Sequence, residues 1–259
     1  MAVNLCGRGP LPGLIPPLAI AMSLTRDDLK NGRFRRLWTE CATGPRLLSD
    51  EELDASVARV LAGAREGEDV WVFGYGSLMW NPLFHYAEQR PATLRGFHRR
   101  FCLWSIMGRG TPERPGLVLG LDLGGACQGL AYRLPAADAA HELKLLWNRE
   151  MVVGSYSPRW ARVEAAPCTG SHGCTEELRA LVFVVNREHP NYAGKLPLEE
   201  VVTAIASAVG HIGSSADYLF HTVDALATHG LRDAHLEALR RKVERAVKPS
   251  GAVKRASPA

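Results

Sequence analysis

The sequence predicts an α+β fold in which strands gather in the middle of the chain and helices close its C-terminal side. Two observations carry this expectation. At Val70 the apolar period changes from helical spacing to short continuous or alternating runs, broken by one helical stretch after Pro135, and helical spacing returns for the rest of the chain at Leu198. The composition suits one main globular domain: of 259 residues, 46% are hydrophobic and 22% charged, which excludes disordered, collagenous and coiled-coil chains. No segment repeats at a fixed interval, so solenoids and propellers are excluded too.

Taken in order, residues 1–47 are expected to form a disordered or loose arm. Leu11 to Met22 is apolar, but Pro12, Pro16 and Pro17 interrupt it, and it falls short of the ~20 residues of a spanning helix. It lacks the basic start and small-residue cleavage site of a secretory signal. Residues 1–21 therefore read as a disordered extension or as the product of a start upstream of Met22. Arg33, Arg35 and Arg36 make residues 23–45 polar and basic. Residues 48–69 read as a helical extension. Ser49 and Glu52 form a capping box there, Leu48 and Leu53 a hydrophobic staple, and Leu53, Val57, Val60 and Leu61 an apolar stripe ending at Gly63.

The main domain is expected to span residues 70–247. Val70 to Phe73 reads as a buried strand. Leu94 to Ser105 alternates, with Phe97, Phe101 and Leu103 on one face and Arg100 and Trp104 on the other. Gly116–Leu123 and Gln128–Leu134 read as two strands joined by a Gly124-Gly125 turn. Pro135 opens a helix through Met151, and Trp160–Ala165 and Leu178–Val185 are further strands. Helices are expected over Leu198–Val209, Ala216–Thr228 and Leu231–Val247, with Gly210 and Gly230 as stops. Residues 248–259 read as a flexible tail.

Charge and cysteine usage narrow the functional classes. Lysine and arginine total 31 against 27 acidic residues, a net charge of +4. That excess is too small for a nucleic-acid partner, and no basic stripe carries interleaved aromatics. No segment reads as a membrane span. Cysteines stand at 6, 41, 102, 127, 168 and 174 with no CxxC pair, which points away from zinc ribbons and redox dithiols and toward a reducing, cytoplasmic setting.

Two places carry candidate chemistry. In Phe73-Gly-Tyr-Gly-Ser-Leu-Met-Trp80, directly after the first strand, two glycines one residue apart let the backbone take positive φ and present successive N–H groups to an anion. The same glycines would equally serve a tightly packed strand-ending turn. Met79 stands where the third glycine of a dinucleotide fingerprint would fall, and no Gly-Lys-Ser completes a P-loop. The second place is Glu150. It stands seven, four and three residues after Leu143, Leu146 and Trp147, on the apolar stripe of its helix and at the C-terminal end. Burial and the helix dipole both raise a carboxyl pKa there, as a general base near neutral pH requires. The alternative is a Glu150 facing water in a fraying turn, or paired with Arg149 or Arg159.

Other groupings are weaker. His141-Glu142 lacks the second histidine of a zinc-protease motif, and no GxSxG elbow occurs. Cys168, His172 and Cys174 lack a fourth ligand. Tyr192, in a loop after a strand, suits either a lid or simple packing.

Taken together, Val72-Phe-Gly-Tyr-Gly-Ser-Leu-Met-Trp80, Arg114-Pro-Gly-Leu-Val118, Gly129-Leu-Ala-Tyr-Arg-Leu-Pro135, Arg149-Glu-Met-Val-Val-Gly-Ser-Tyr156, Asn191-Tyr192 and Asp217-Tyr-Leu-Phe220 resemble the ChaC family of glutathione-specific γ-glutamylcyclotransferases. The matches keep their order over about residues 70–220. The resemblance implies a compact mixed β-barrel with helices around it and a helical N-terminal extension. It implies cyclisation of the γ-glutamyl group of glutathione to 5-oxoproline with release of Cys-Gly. Glu150 would be the general acid/base, and Val72, Phe73, Gly74, Tyr75, Gly76, Ser77, Tyr156 and Tyr192 would receive the substrate. It calls for no metal or cofactor and leaves the oligomeric state open. A broader γ-glutamyl specificity and a non-catalytic regulator of cation transport are the alternatives.

Overall fold

The computed structural model describes residues 24–41, 44–65, 67–167 and 175–247. The expectations that fall on residues 1–23, on Cys168, His172 and Cys174, and on the tail 248–259 lie outside these described residues. Five strands, β1 (Val70–Gly74), β2 (Glu88–Ser105), β3 (Gly116–Leu134), β4 (Tyr156–Ala165) and β5 (Glu176–Val185), close into a barrel in the order β1-β3-β2-β4-β5. The ladders are antiparallel except at β5, where Ala180 and Leu181 pair in parallel with Trp71 and Val72 of β1 to close the barrel and Val184 pairs in parallel with Leu121 of β3. Continuous apolar runs suit such strands, and Val72, Phe73, Leu119, Leu121, Leu130 and Leu181 have essentially no exposure.

The expected turn at Gly124-Gly125 is instead a bulge within one long strand. Arg95 of β2 pairs with Ala126 and Phe97 with Leu123, so Gly96 alone opposes the two glycines. All three take positive φ, +83°, +99° and +73°, which bends the two-stranded ribbon enough for each half to join the barrel. A second irregularity between Phe101 and Leu103 breaks the alternation expected of β2. Phe101 joins the main core, whereas Leu103 packs with Cys102 and Val185.

The helices are α1 (Arg26–Lys30), α2 (Arg33–Glu40), α3 (Asp50–Ala62), α4 (Ala136–Glu150), α5 (Leu198–Ser207), α6 (Ser215–Thr228) and α7 (Ala234–Val247). Between α5 and α6, Val209–Gly210 and Gly213–Ser214 form a minimal hairpin, β6 and β7. The Ser49–Glu52 capping box is formed at the start of α3. Arg26–Lys30 and Arg33–Glu40, expected as a loose arm, are helical. Thr25 and Asp28 form a second capping box there, and Leu29 and Phe34 are buried.

Arg26 fastens this N-terminal segment to the barrel domain. Its guanidinium meets both oxygens of Glu142 at 2.7 Å, and Glu142 is only 3% exposed. Burial pushes this carboxyl up, yet Arg26 and the His85 N–H together hold it below its ordinary value. Removing one partner of a buried pair strands the other charge, so Arg26→Ala should cost about 3 kcal/mol of stability, read from urea unfolding. A loss inside experimental error would mean that water reaches Glu142.

Candidate active site

β1 ends at Gly74, and the chain turns through Tyr75 and Gly76 into a 3₁₀ turn, Ser77–Met79. The glycines here serve close packing and not positive φ, which neither adopts. A Cβ at Gly76 would lie 2.6 Å from the Tyr218 hydroxyl, and one at Gly74 would lie 3.0 Å from both Leu78 and the Tyr132 ring. The phenol of Tyr132 donates to the Leu78 carbonyl at 2.9 Å, and the buried Arg99 donates to the Tyr75 carbonyl at 2.8 Å. The turn is held from both sides.

Glu150, the last residue of α4, faces this turn. Its helix buries Leu143, Leu146 and Trp147 against the core, with the Trp147 and Phe183 rings 5.3 Å apart edge to face. Two adjoining cavities share Glu150, Ser77, Tyr156 and Tyr218. The inner one, about 20 Å³, is walled by Tyr75, Gly76, Leu119 and Phe183. The outer one, about 150 Å³, is mainly apolar and extends past Trp80, Leu103, Met107 and Arg109. The side chain of Glu150 keeps 14% exposure. It lines both cavities, and burial raises its pKa despite the opposing charge of Arg149.

Arg149 is the expected pairing partner, but the pair lies inside the site and not out in solvent. Its Nε stands 3.0 Å from the Glu150 carboxylate and its Nη2 donates to the Ser77 hydroxyl at 2.7 Å. Its Nη1 donates to the Asn81 carbonyl. One guanidinium thus joins the glycine turn to the carboxylate.

Three phenols, the buried Tyr75 and Tyr218 and the half-buried Tyr156, line the inner cavity with Glu150. Tyr75 donates to the Phe183 carbonyl and Tyr156 to the Leu119 carbonyl, each at 2.9 Å. Burial first, and the neighbouring charges with it, raises Tyr75 and Tyr156 well above the ordinary tyrosine value, and Tyr218 is pushed up to about 12. All three stay neutral wherever Glu150 can titrate.

The structure brings Tyr75, Gly76, Ser77, Glu150 and Tyr156 together, with Gly74 leading into the turn. It does not bring Val72, Phe73 or Tyr192 there. Val72 and Phe73 are fully buried in the barrel. Tyr192 donates to Asp122 at 2.9 Å and packs beside Cys102 and Leu103, lining neither cavity.

Two residues escape the sequence reading. Tyr218 lies within the quoted Asp217-Tyr-Leu-Phe220 motif, yet only the fold carries α6 to the turn. Arg109 is set by a tightly packed loop: a Cβ at Gly110 would fall 2.2 Å from the Gly116 nitrogen, and one at Gly210 would fall 2.5 Å from Gly110. Arg109 is 8% exposed and lies over the rings of Trp80 and Tyr218 at 5.6 and 5.7 Å. Burial draws it down to about 10, still cationic at neutral pH, and its buried Nε has no hydrogen-bond partner among the described residues. A cation so placed on a cavity wall suits a carboxylate ligand.

Among the described residues, no group of three or more His, Cys, Asp or Glu is placed to hold a metal ion, and no helix is long and apolar enough to cross a membrane.

A family model described as ChaC-like protein matches residues 70–246. The glutathione-specific γ-glutamylcyclotransferase of Escherichia coli K12 is 39% identical over 216 residues, 83% of this chain and 90% of that protein. The human glutathione-specific γ-glutamylcyclotransferase 1 is 34% identical over 176 residues, 66% and 76% of the two chains. A crystal structure of a yeast γ-glutamyl cyclotransferase specific to glutathione superposes with a TM-score of 0.63 at 24% identity, covering 69% of this chain and 96% of that one, and so shares the fold.

Proposed function

The chain belongs to the ChaC family, and we propose that it is a glutathione-specific γ-glutamylcyclotransferase. The observation that carries the reading is Glu150: a carboxylate of raised pKa on a cavity walled by neutral phenols, tied through Arg149 to the Gly76–Ser77 turn.

The α-amine of the γ-glutamyl group must lose a proton before it can attack its own γ-carbonyl. Ionised Glu150 accepts that proton. Attack forms the lactam C–N bond, and negative charge develops on the γ-oxygen, for which the N–H groups of the turn are the donors, since Tyr75 and Tyr156 already give their hydroxyl protons to backbone carbonyls. The bond to the cysteinyl nitrogen then breaks as Glu150 returns a proton to it. Glu150, ionised again, takes the second proton from the new ring nitrogen and passes it to the leaving amine, and 5-oxoproline and Cys-Gly separate. The balance consumes no nucleotide and no water. Holding amine and carbonyl in near-attack geometry supplies a large share of the rate.

Arg109 supplies the charge that a substrate carboxylate requires. Arg109→Met keeps bulk over Trp80 and Tyr218 but removes that charge. It should raise KM by about tenfold or more, the worth of a charged hydrogen bond, with a smaller change in kcat. A KM equal to wild type would take Arg109 out of substrate binding.

Incubation of the metal-stripped protein with glutathione and, separately, with γ-glutamyl-alanine tests the function. Release of 5-oxoproline from glutathione alone is the expected result. Release from both would establish the broader specificity, and release from neither would leave the non-catalytic regulator. A reduced-thiol substrate and the unpaired Cys41, Cys102 and Cys127 fit a cytoplasmic setting.

A further inference from the structure

The outer half of the cavity is not built by residues 70–246 alone. Leu24, Phe34 and Trp38 line it, and they belong to an apolar cluster separate from the barrel core, shared with Met107, Val152 and Val153. Those three line the same cavity from the barrel side. The N-terminal helices therefore roof the pocket.

The roof is fastened at the catalytic end. Besides Glu142, Arg26 holds the carbonyl of Leu83 at 2.9 Å, and Leu83 is a non-glycine residue at φ +59°. Asn81 Nδ2 donates to the Leu24 carbonyl at 3.0 Å, and the Asn81 carbonyl receives Arg149. One line of contacts runs from Leu24 through Asn81 and Arg149 to Glu150.

We propose that the segment Leu24–Glu40, through Phe34 and Trp38, is the specificity wall for the leaving-group half of the substrate, admitting glutathione with a free thiol and excluding glutathione that carries a bulky group on sulfur. The inference rests on the function proposed above. The γ-glutamyl end has to reach Glu150 between Tyr75, Tyr156 and Tyr218, so the cysteinyl-glycine end extends outward, beneath Phe34 and Trp38. This roof is aromatic and apolar. A thiol methylene suits such a surface, whereas a long S-substituent would have to displace Phe34 or Trp38.

The test uses the full chain and compares kcat/KM for 5-oxoproline release from glutathione and from S-hexylglutathione. Trp38→Ala should raise the ratio of S-hexylglutathione to glutathione by about tenfold or more, the scale on which apolar pockets discriminate. Arg36→Ala, on the exposed side of the same helix, should leave the ratio at the wild-type value. Trp38→Leu opens the roof less and should move the ratio in the same direction by less. It carries the comparison if a thermal melt shows Trp38→Ala unfolded. An unchanged ratio in a folded Trp38 variant, or a wild type that processes both substrates equally, overturns the roof while leaving the function intact. A wild type that releases nothing from glutathione overturns both.

Discussion

Glu150→Gln should fold as the wild type does and lose roughly 10²–10⁴-fold in kcat, the range that a positioned general acid/base supplies. The amide keeps the shape of the side chain, and Arg149 retains its bonds to Ser77 and Asn81. Only the capacity to take up the ammonium proton is lost. Release of 5-oxoproline and a thermal melt on the same sample check the expectation, and full activity in a folded variant would remove Glu150 from the mechanism. The pH profile gives an independent reading. Burial raises this carboxyl, so the ionised base accumulates only above the usual carboxylate range. The acid limb of kcat/KM should therefore rise with pH through a value higher than that of an ordinary glutamate. It should be absent from the residual activity of the Gln variant.

The other large effect belongs to Gly76. An added Cβ meets the Tyr218 hydroxyl at 2.6 Å, and Tyr218 is itself buried on α6. Either the phenol leaves the site or the turn moves, taking Ser77 and its bond to Arg149 along. Misplacement on the scale of an ångström costs about 10²-fold, so Gly76→Ala should lose at least that much in kcat/KM, and Gly76→Val more. Ser77→Ala keeps the backbone and removes only the acceptor for Arg149, which still holds Asn81 and Glu150. About 1.5 kcal/mol, near tenfold, is the expected loss. Equal losses in the two variants would mean that the shape of the turn does not matter.

The fold was legible where burial writes a period into the chain. The runs at Val70–Phe73 and Leu178–Val185 read as strands because the closed barrel buries them. Gly124-Gly125 misled because two adjacent glycines signal a turn, and only the single residue opposite them, Gly96, distinguishes a bulge. The N-terminal helices were hidden by Arg33, Arg35 and Arg36, although the Thr25–Asp28 capping box was there to be found. Within the site, Glu150 was visible because a charge on a core stripe is anomalous on its own element. Tyr218 and Arg109 were not, since α6 and a glycine-packed loop bring them in from distant parts of the chain. Val72 and Phe73 share a motif with the turn but sit upstream of it, inside the barrel.

The ring of phenols around Glu150 has a consequence for the whole molecule at high pH. Five of the six tyrosines, Tyr75, Tyr132, Tyr156, Tyr192 and Tyr218, are held above their ordinary value in the folded chain, each first by burial. Unfolding returns them to about 10. A group whose folded pKa is raised contributes stability below its unfolded value and loses it as pH climbs toward the folded one. Below pH 10 these tyrosines therefore remain in reserve. Above it, unfolding releases several protons together, and alkali acts on this protein as a cooperative denaturant.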